Sequence, residues 1–197
     1  MNTTLRLLSH TIPHPSAKQV TVPTQSILIN RAPVLTLWAT VVAERLGFAH
    51  DEALTLAKAV TGLTAQSKGR RLGIYKPVPM EIKKARAQKR GEQYHMEFLG
   101  RTVAVINTPD GLRALNKDNP IEPAGVTRYL QGKFGDQFTA ARDAMRDLAK
   151  AFKPEDLADK AFALYVKSRP VVPEDATGWG AKGVLKLDQI REMADGK

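Results

Sequence analysis

The stretch from Pro33 to Leu46 constrains this chain more than any other. Val34, Leu35, Leu37, Trp38, Val41, Val42 and Leu46 follow helical spacing yet cover most of the helix circumference. A helix that is apolar on nearly every side needs neighbours all round, from its own chain or from a second subunit. Pro33 suits the first helical position, where a missing N–H costs no hydrogen bond. Gly47 suits the stop, because it takes left-handed backbone without strain. The chain must therefore build a helical core around this element. With 197 residues it is long enough for one domain or two small ones.

The flanking segments divide into an arm and two blocks. Residues 1–30 are polar and broken by Pro13, Pro15 and Pro23. Val20, Val22, Ile27 and Ile29 alternate weakly there, which predicts an extended arm carrying one short strand. A second helix is expected from Asp51, a good N-cap, to Arg71, with Leu54, Ala57, Val60 and Leu63 on one stripe and Leu72-Gly73 as its stop. Residues 75–80 hold two prolines and read as a linker. Residues 81–92 read as a solvated helix or a basic loop that orders on a partner.

After residue 92 the period changes to two. Tyr94, Met96 and Phe98 alternate with His95 and Glu97, Leu99-Gly100 turns the chain, and Val103 and Val105 continue, which predicts a β-hairpin. Thr108-Pro109-Asp110 reads as the start of a short helix. Further helices are expected from Glu122-Pro123, from Asp136 and from Pro154, with a last amphipathic one through Leu187, Ile190 and Met193. The expected fold is mainly α with one small β-hairpin. A helical block at 31–92 precedes a hairpin-plus-helices block at 93–197, and the two could form one continuous domain.

Charge is distributed unevenly along this frame. Lys68, Arg70, Arg71, Lys76, Lys83, Lys84, Arg86, Lys89 and Arg90 fall within 23 positions and are opposed only by Glu81. That segment is +8 in a chain of +10. Clustered cations gain most from displacing counterions around phosphates, so the segment predicts contact with nucleic acid or another polyanion. The plainer reading is a solvated basic helix face and loop, or pairing with acids elsewhere in the fold. The aromatic content of 6% is low and scattered, which argues against a base-stacking platform. The absence of cysteine excludes disulfides, thiolate catalysis and cysteine-ligated zinc. No apolar run approaches a membrane span and no secretory leader pattern opens the chain, so a cytoplasmic location is expected.

Other constellations are weaker. Val42-Ala43, Leu46-Gly47-Phe48, Ala53 and Leu56 resemble a bacterial helix–turn–helix pattern. Its recognition helix would begin with Asp51 and Glu52, whose charges phosphates repel, so an ordinary helical hairpin of the core is favoured. His50-Asp51 resembles the metal-binding dyad of HD-type phosphohydrolases, but no credible set of further ligands accompanies it, and His10, His14 and His95 do not supply one. No serine lies in a nucleophile elbow, and no Gly-rich loop follows a strand and opens a helix. The carboxylates from Asp143 to Asp159 interleave with cations as on a solvated helix surface. Gly178-Trp179-Gly180-Ala181-Lys182-Gly183 could cradle an anion, although its glycines read more simply as turns.

Two stretches, Arg31-Ala32-Pro33-Val34-Leu35-Thr36-Leu37-Trp38 and Gly178-Trp179-Gly180-Ala181-Lys182-Gly183-Val184-Leu185, together resemble an uncharacterised family of small bacterial proteins, a domain of unknown function, over most of the chain. The resemblance brings no activity, no cofactor and no site residue. It implies a bacterial cytoplasmic protein. The expected function is that of a non-enzymatic DNA- or RNA-binding protein that needs no cofactor or metal and forms a homodimer. The alternative is a protein-interaction or adaptor module whose basic face meets an acidic partner.

Overall fold

The computed structural model describes residues 25–74, 81, 93–176 and 180–196. Helix α1 spans Arg31–Arg45, and every residue from Pro33 to Ala43 is buried. Its start, Arg31, lies two residues ahead of the expected Pro33, and Asn30, with extended backbone, is the N-cap. Its stop is a Schellman motif. Phe48 N–H donates to the Ala43 carbonyl and Gly47 N–H to the Glu44 carbonyl, both at 3.1 Å, with Gly47 at φ +99°. The neighbours that α1 requires all come from its own chain. They are α2 (His50–Arg71), α3 (Pro123–Phe134), α4 (Phe138–Lys150) and α5 (Pro154–Ser168). The all-round apolarity of α1 is thus satisfied within one subunit and is no argument for a second copy.

Several polar groups inside this core are paired. Trp38 donates its indole N–H to the Ala161 carbonyl at 2.8 Å. Thr36 and Thr61 share a hydrogen bond of 3.0 Å between α1 and α2. The Tyr165 hydroxyl donates to the Arg31 carbonyl at 3.2 Å, which ties α5 to the first turn of α1. Such bonds matter because a buried polar group left unpaired costs about 1–3 kcal/mol. One hydrophobic cluster runs from Ile27 to Ile190 and includes residues from both sides of residue 92.

The β structure is larger than one hairpin. Strands β2 (Tyr94–Phe98) and β3 (Arg101–Thr108) form the expected pair, with Phe98 opposite Arg101. Strands β4 (Gly111–Asn116) and β5 (Asn119–Pro120) extend it to a four-stranded antiparallel sheet in the order β2-β3-β4-β5. The expected helix at Thr108 is therefore a turn. Thr-Pro-Asp satisfies helix-start rules, but Pro109-Asp110 also suits a tight turn, and Gly111 at φ +102° completes it. The Thr108 hydroxyl closes that turn by donating to the Gly111 carbonyl at 2.7 Å.

A second, two-stranded sheet joins the chain ends. Strand β1 (Ser26–Ile29) pairs antiparallel with β6 (Gly183–Lys186). β1 is the strand expected in the arm, whereas residues 1–24 and the arm's Val20 and Val22 lie outside the described residues. β6 leads directly into α6 (Leu187–Asp195), the expected last helix. A 3-10 turn at Gly135–Gln137 separates α3 from α4, so the helix expected from Asp136 starts two residues later. The architecture is mainly α with small antiparallel sheets. No helix among the described residues is long and apolar enough to cross a membrane.

Candidate functional site

Helix α2 has two differently employed ends. Its N-cap is Ala49, not Asp51. Ala49 offers no side-chain oxygen, so only half of a capping box forms, with Ala49 N–H donating to Glu52 Oε2 at 3.1 Å. The other carboxylate oxygen of Glu52 accepts from Leu112 N–H at 2.8 Å, and Thr55 Oγ1 accepts from Ala114 N–H at 3.1 Å. These bonds fasten the first turns of α2 to strand β4. A Cβ at Gly111 would come within 2.8 Å of Glu52 Oε1, so the glycine also makes room for this carboxylate. Two polar positions that a helix–turn–helix would offer to bases, Glu52 and Thr55, are thus bonded to β4. Ala53, Leu54, Thr55, Leu56 and Ala57 are all buried.

The His50-Asp51 dyad is divided between two other partners. His50 Nδ1 meets Glu44 Oε1 at 2.6 Å, and the same oxygen meets Arg142 at 3.2 Å. Asp51 faces Arg113 at 3.8 Å. No group of three or more His, Cys, Asp or Glu residues converges among the described residues. In the glycine-rich segment, a Cβ at Gly183 would lie 2.4 Å from the Val171 carbonyl oxygen. Gly183 therefore permits the close backbone approach behind the Val171–Val184 bridge. Gly178 and Trp179 lie outside the described residues, and Lys182 is exposed.

The basic end of α2 is built differently. Of the nine cations singled out from the sequence, Lys68, Arg70 and Arg71 lie in its last turn and are exposed. Lys76, Lys83, Lys84, Arg86, Lys89 and Arg90 lie outside the described residues. The helix stops at a second Schellman motif. Ile74 N–H donates to the Gly69 carbonyl at 2.9 Å and Gly73 N–H to the Arg70 carbonyl at 3.0 Å, with Gly73 at φ +70°. In this motif the residue after the glycine commonly packs against the third residue from the helix end. Here that residue is Gly69, which has no side chain, and Ile74 stays 52% exposed beside Leu72 at 56%.

Helical geometry divides the three cations. Leu63, Gln66, Ser67 and Arg70 are spaced by three and four, so they form one stripe. Lys68 and Arg71 are turned roughly 100–160° away from Arg70 at 100° per residue. The Arg70 stripe faces the β2–β3 turn. Together with Arg101 and Thr102 it lines a depression of about 200 Å³.

Two features fix the opposite wall. Leu99 and Gly100 both take positive φ, +46° and +66°, which gives the tight hairpin turn that places Arg101 first in β3. Left-handed backbone at a leucine is unfavourable by about 1–2 kcal/mol. Leu99 is only 5% exposed and Phe98 4%, and burial of such a side chain returns about 1.5–3 kcal/mol, which holds the turn in place.

Electrostatically the depression is cationic. Among the described residues, Lys68, Arg70, Arg71 and Arg101 make no ion pair. Glu97, on β2, accepts a hydrogen bond from the Thr102 hydroxyl. Two arginines thus line the space, and the Thr102 hydroxyl on its wall is bonded to a carboxylate. The end of α2 brings partial negative charge, which stabilises neighbouring cations by about 0.3–1 kcal/mol each. This explains why cations are tolerated there, but it gives them no hydrogen-bond partner. Of the residues lining this depression, sequence reasoning had singled out Arg70 but not Gln66, Ser67, Arg101 or Thr102. Their only signals were the stripe ending at Arg70 and an Arg directly after the predicted hairpin turn.

No family model matches the chain, and neither a curated protein nor a solved structure matches it.

Proposed function

We propose that this protein is a non-enzymatic nucleic-acid-binding protein that contacts the phosphate backbone through the basic segment from Lys68 to Arg90. The observation that supports this reading is the unpaired state of Lys68, Arg70, Arg71 and Arg101 among the described residues. The pairing with acids that would make the cluster purely structural is missing at its described end. Contacts of this kind position a protein on DNA or RNA without reading base sequence. Glu52 and Thr55, polar positions of the helix that could have read bases, are bonded to β4, which favours backbone contact over base reading.

The exposed Leu72 and Ile74 beside these cations favour a second reading. A mixed basic and apolar surface also suits an acidic protein partner, which would make the chain an adaptor.

Fluorescence anisotropy with labelled duplex DNA and with RNA tests the proposal. Wild type is compared with a variant carrying Gln at Arg70, Arg71, Lys83, Lys84 and Arg86. If four phosphates are contacted, log K should fall with log salt at a slope of about −3.6, and the variant should lose most of that binding. Equal binding by both proteins would move the interface elsewhere. No binding at low salt would overturn the nucleic-acid reading and leave the acidic protein partner.

A further inference from the structure

We infer that the depression between α2 and the β2–β3 turn is a discrete site for one phosphate group, held jointly by Arg70 and Arg101. The inference rests on the nucleic-acid reading for its ligand, a backbone phosphodiester, and on geometry for its place. Three observations point to it.

The first is size. The space is about 200 Å³. Sites for whole small molecules run from about 300 to 1,000 Å³. A water molecule takes about 30 Å³ of liquid, so the depression admits a single polar group with a few waters. That suits a phosphate group.

The second is the donor set. Arg70 and Arg101 come from different elements and converge on the same space, joined by Gln66, Ser67 and Thr102. Guanidinium groups match phosphate oxygens with paired N–H donors, and the hydroxyls and amide supply neutral donors to the remaining oxygens. Thr102 already donates to Glu97, so that hydroxyl must turn away from Glu97 to serve a ligand.

The third is placement. Arg70 projects from a helix anchored at its other end to β4, and Arg101 follows a turn pinned by buried Phe98 and Leu99. The two arginines are presented by fixed backbone, which lowers the ordering cost of binding. Lys68 and Arg71, on the far side of the helix, would meet other phosphates and belong to no shared site.

The test uses the full chain as wild type and as Arg70→Gln, Arg101→Gln, the double variant and Arg101→Lys, each checked for an unchanged far-ultraviolet circular dichroism spectrum. Inorganic pyrophosphate is titrated with Tm as the readout, because an anion bound to the folded state alone must raise Tm. The expected result is a rise for wild type, absent in Arg101→Gln and retained in part by Arg101→Lys. Labelled duplex DNA is then titrated across a salt series. Each single variant and the double should flatten the salt slope by the same amount, about 0.9, because both arginines serve one phosphate. A double variant that loses about 1.8 would overturn the shared site. Duplex binding that persists unchanged in Arg101→Gln would refute the site while leaving the nucleic-acid reading intact. A Tm response to pyrophosphate that Arg101→Gln abolishes, with no duplex binding by wild type, would refute the nucleic-acid reading and the phosphodiester ligand, leaving a site for a free anion.

Discussion

The two halves of α2 treat charge in opposite ways. From His50 to Thr61 every charged side chain is engaged by the fold. His50 meets Glu44, Asp51 faces Arg113, Glu52 accepts two backbone N–H groups, and Lys58 lies over the Tyr129 ring. From Gly62 to Arg71 the charges are Lys68, Arg70 and Arg71, and among the described residues none makes an ion pair. The first half is held between α1 and β4, while the second reaches the tip of the β2–β3 hairpin. One helix therefore serves as a core element at one end and presents cations at the other. Residue type alone does not distinguish the two ends; the neighbours each end meets do.

The sharpest way to break this contrast is to exchange core for surface effects. Leu56 lies in the first half and is fully buried. Leu56→Ala removes buried methyl groups and leaves a cavity, and should destabilise the protein by about 2–5 kcal/mol in urea unfolding. Arg70→Gln, in the exposed half, should change stability by less than about 0.5 kcal/mol. Comparable losses from the two substitutions would show that the second half is also part of the stabilising core, and the assignment of its cations to a partner would lose its basis.

The same division shows what could be read from the sequence. α1 was legible because Pro33 and Gly47 bracket a run whose apolarity leaves one physical solution. Strand β4 was not, because Thr108-Pro109-Asp110 obeys the rules for a helix start and for a turn at once. The decision falls to Gly111, whose positive φ and contact with Glu52 depend on a helix about sixty residues away. β6 escaped notice because a four-residue strand has little periodicity of its own, and its partner Ser26–Ile29 lies at the other end of the chain. The charge at Lys68–Arg71 was visible as a count. Its division around the helix, and the arrival of Arg101 beside Arg70, are properties of packing that no local pattern encodes.

A pH titration sharpens the contrast further. Burial pushes the Tyr165 phenol up to about 12 from the usual 10, against the smaller lowering effect of Arg169 and Arg31. The folded state therefore holds this proton more tightly than the unfolded chain does. The corresponding stability is fully present below pH 10 and is lost as pH rises through about 12. Urea unfolding should show a decline of about 2–3 kcal/mol across that window. Tyr165→Phe should remove the part of the decline due to this group, at the cost of its hydrogen bond to the Arg31 carbonyl. A decline of the same size in Tyr165→Phe would place its origin outside the packing around α1.

The smallest expected effect is also the most direct comparison of the two halves. Lys58 and Lys68 sit on the same helix and carry the same charge. Lys58 Nζ lies 4.5 Å from the centre of the Tyr129 ring, a geometry worth about 0.5–1 kcal/mol. Lys68 is exposed and makes no ion pair among the described residues. Lys58→Gln should therefore lower stability by that amount while leaving duplex affinity and its salt slope at wild-type values. Lys68→Gln should do the reverse, with stability unchanged and a slope flatter by about 0.9. Each variant removes one positive charge, so the net charge of the two proteins is identical. If both flatten the slope equally, total charge governs binding and the local arrangement at the end of α2 carries no special role. If only Lys68→Gln does so, the partner is met where the fold leaves its cations unpaired.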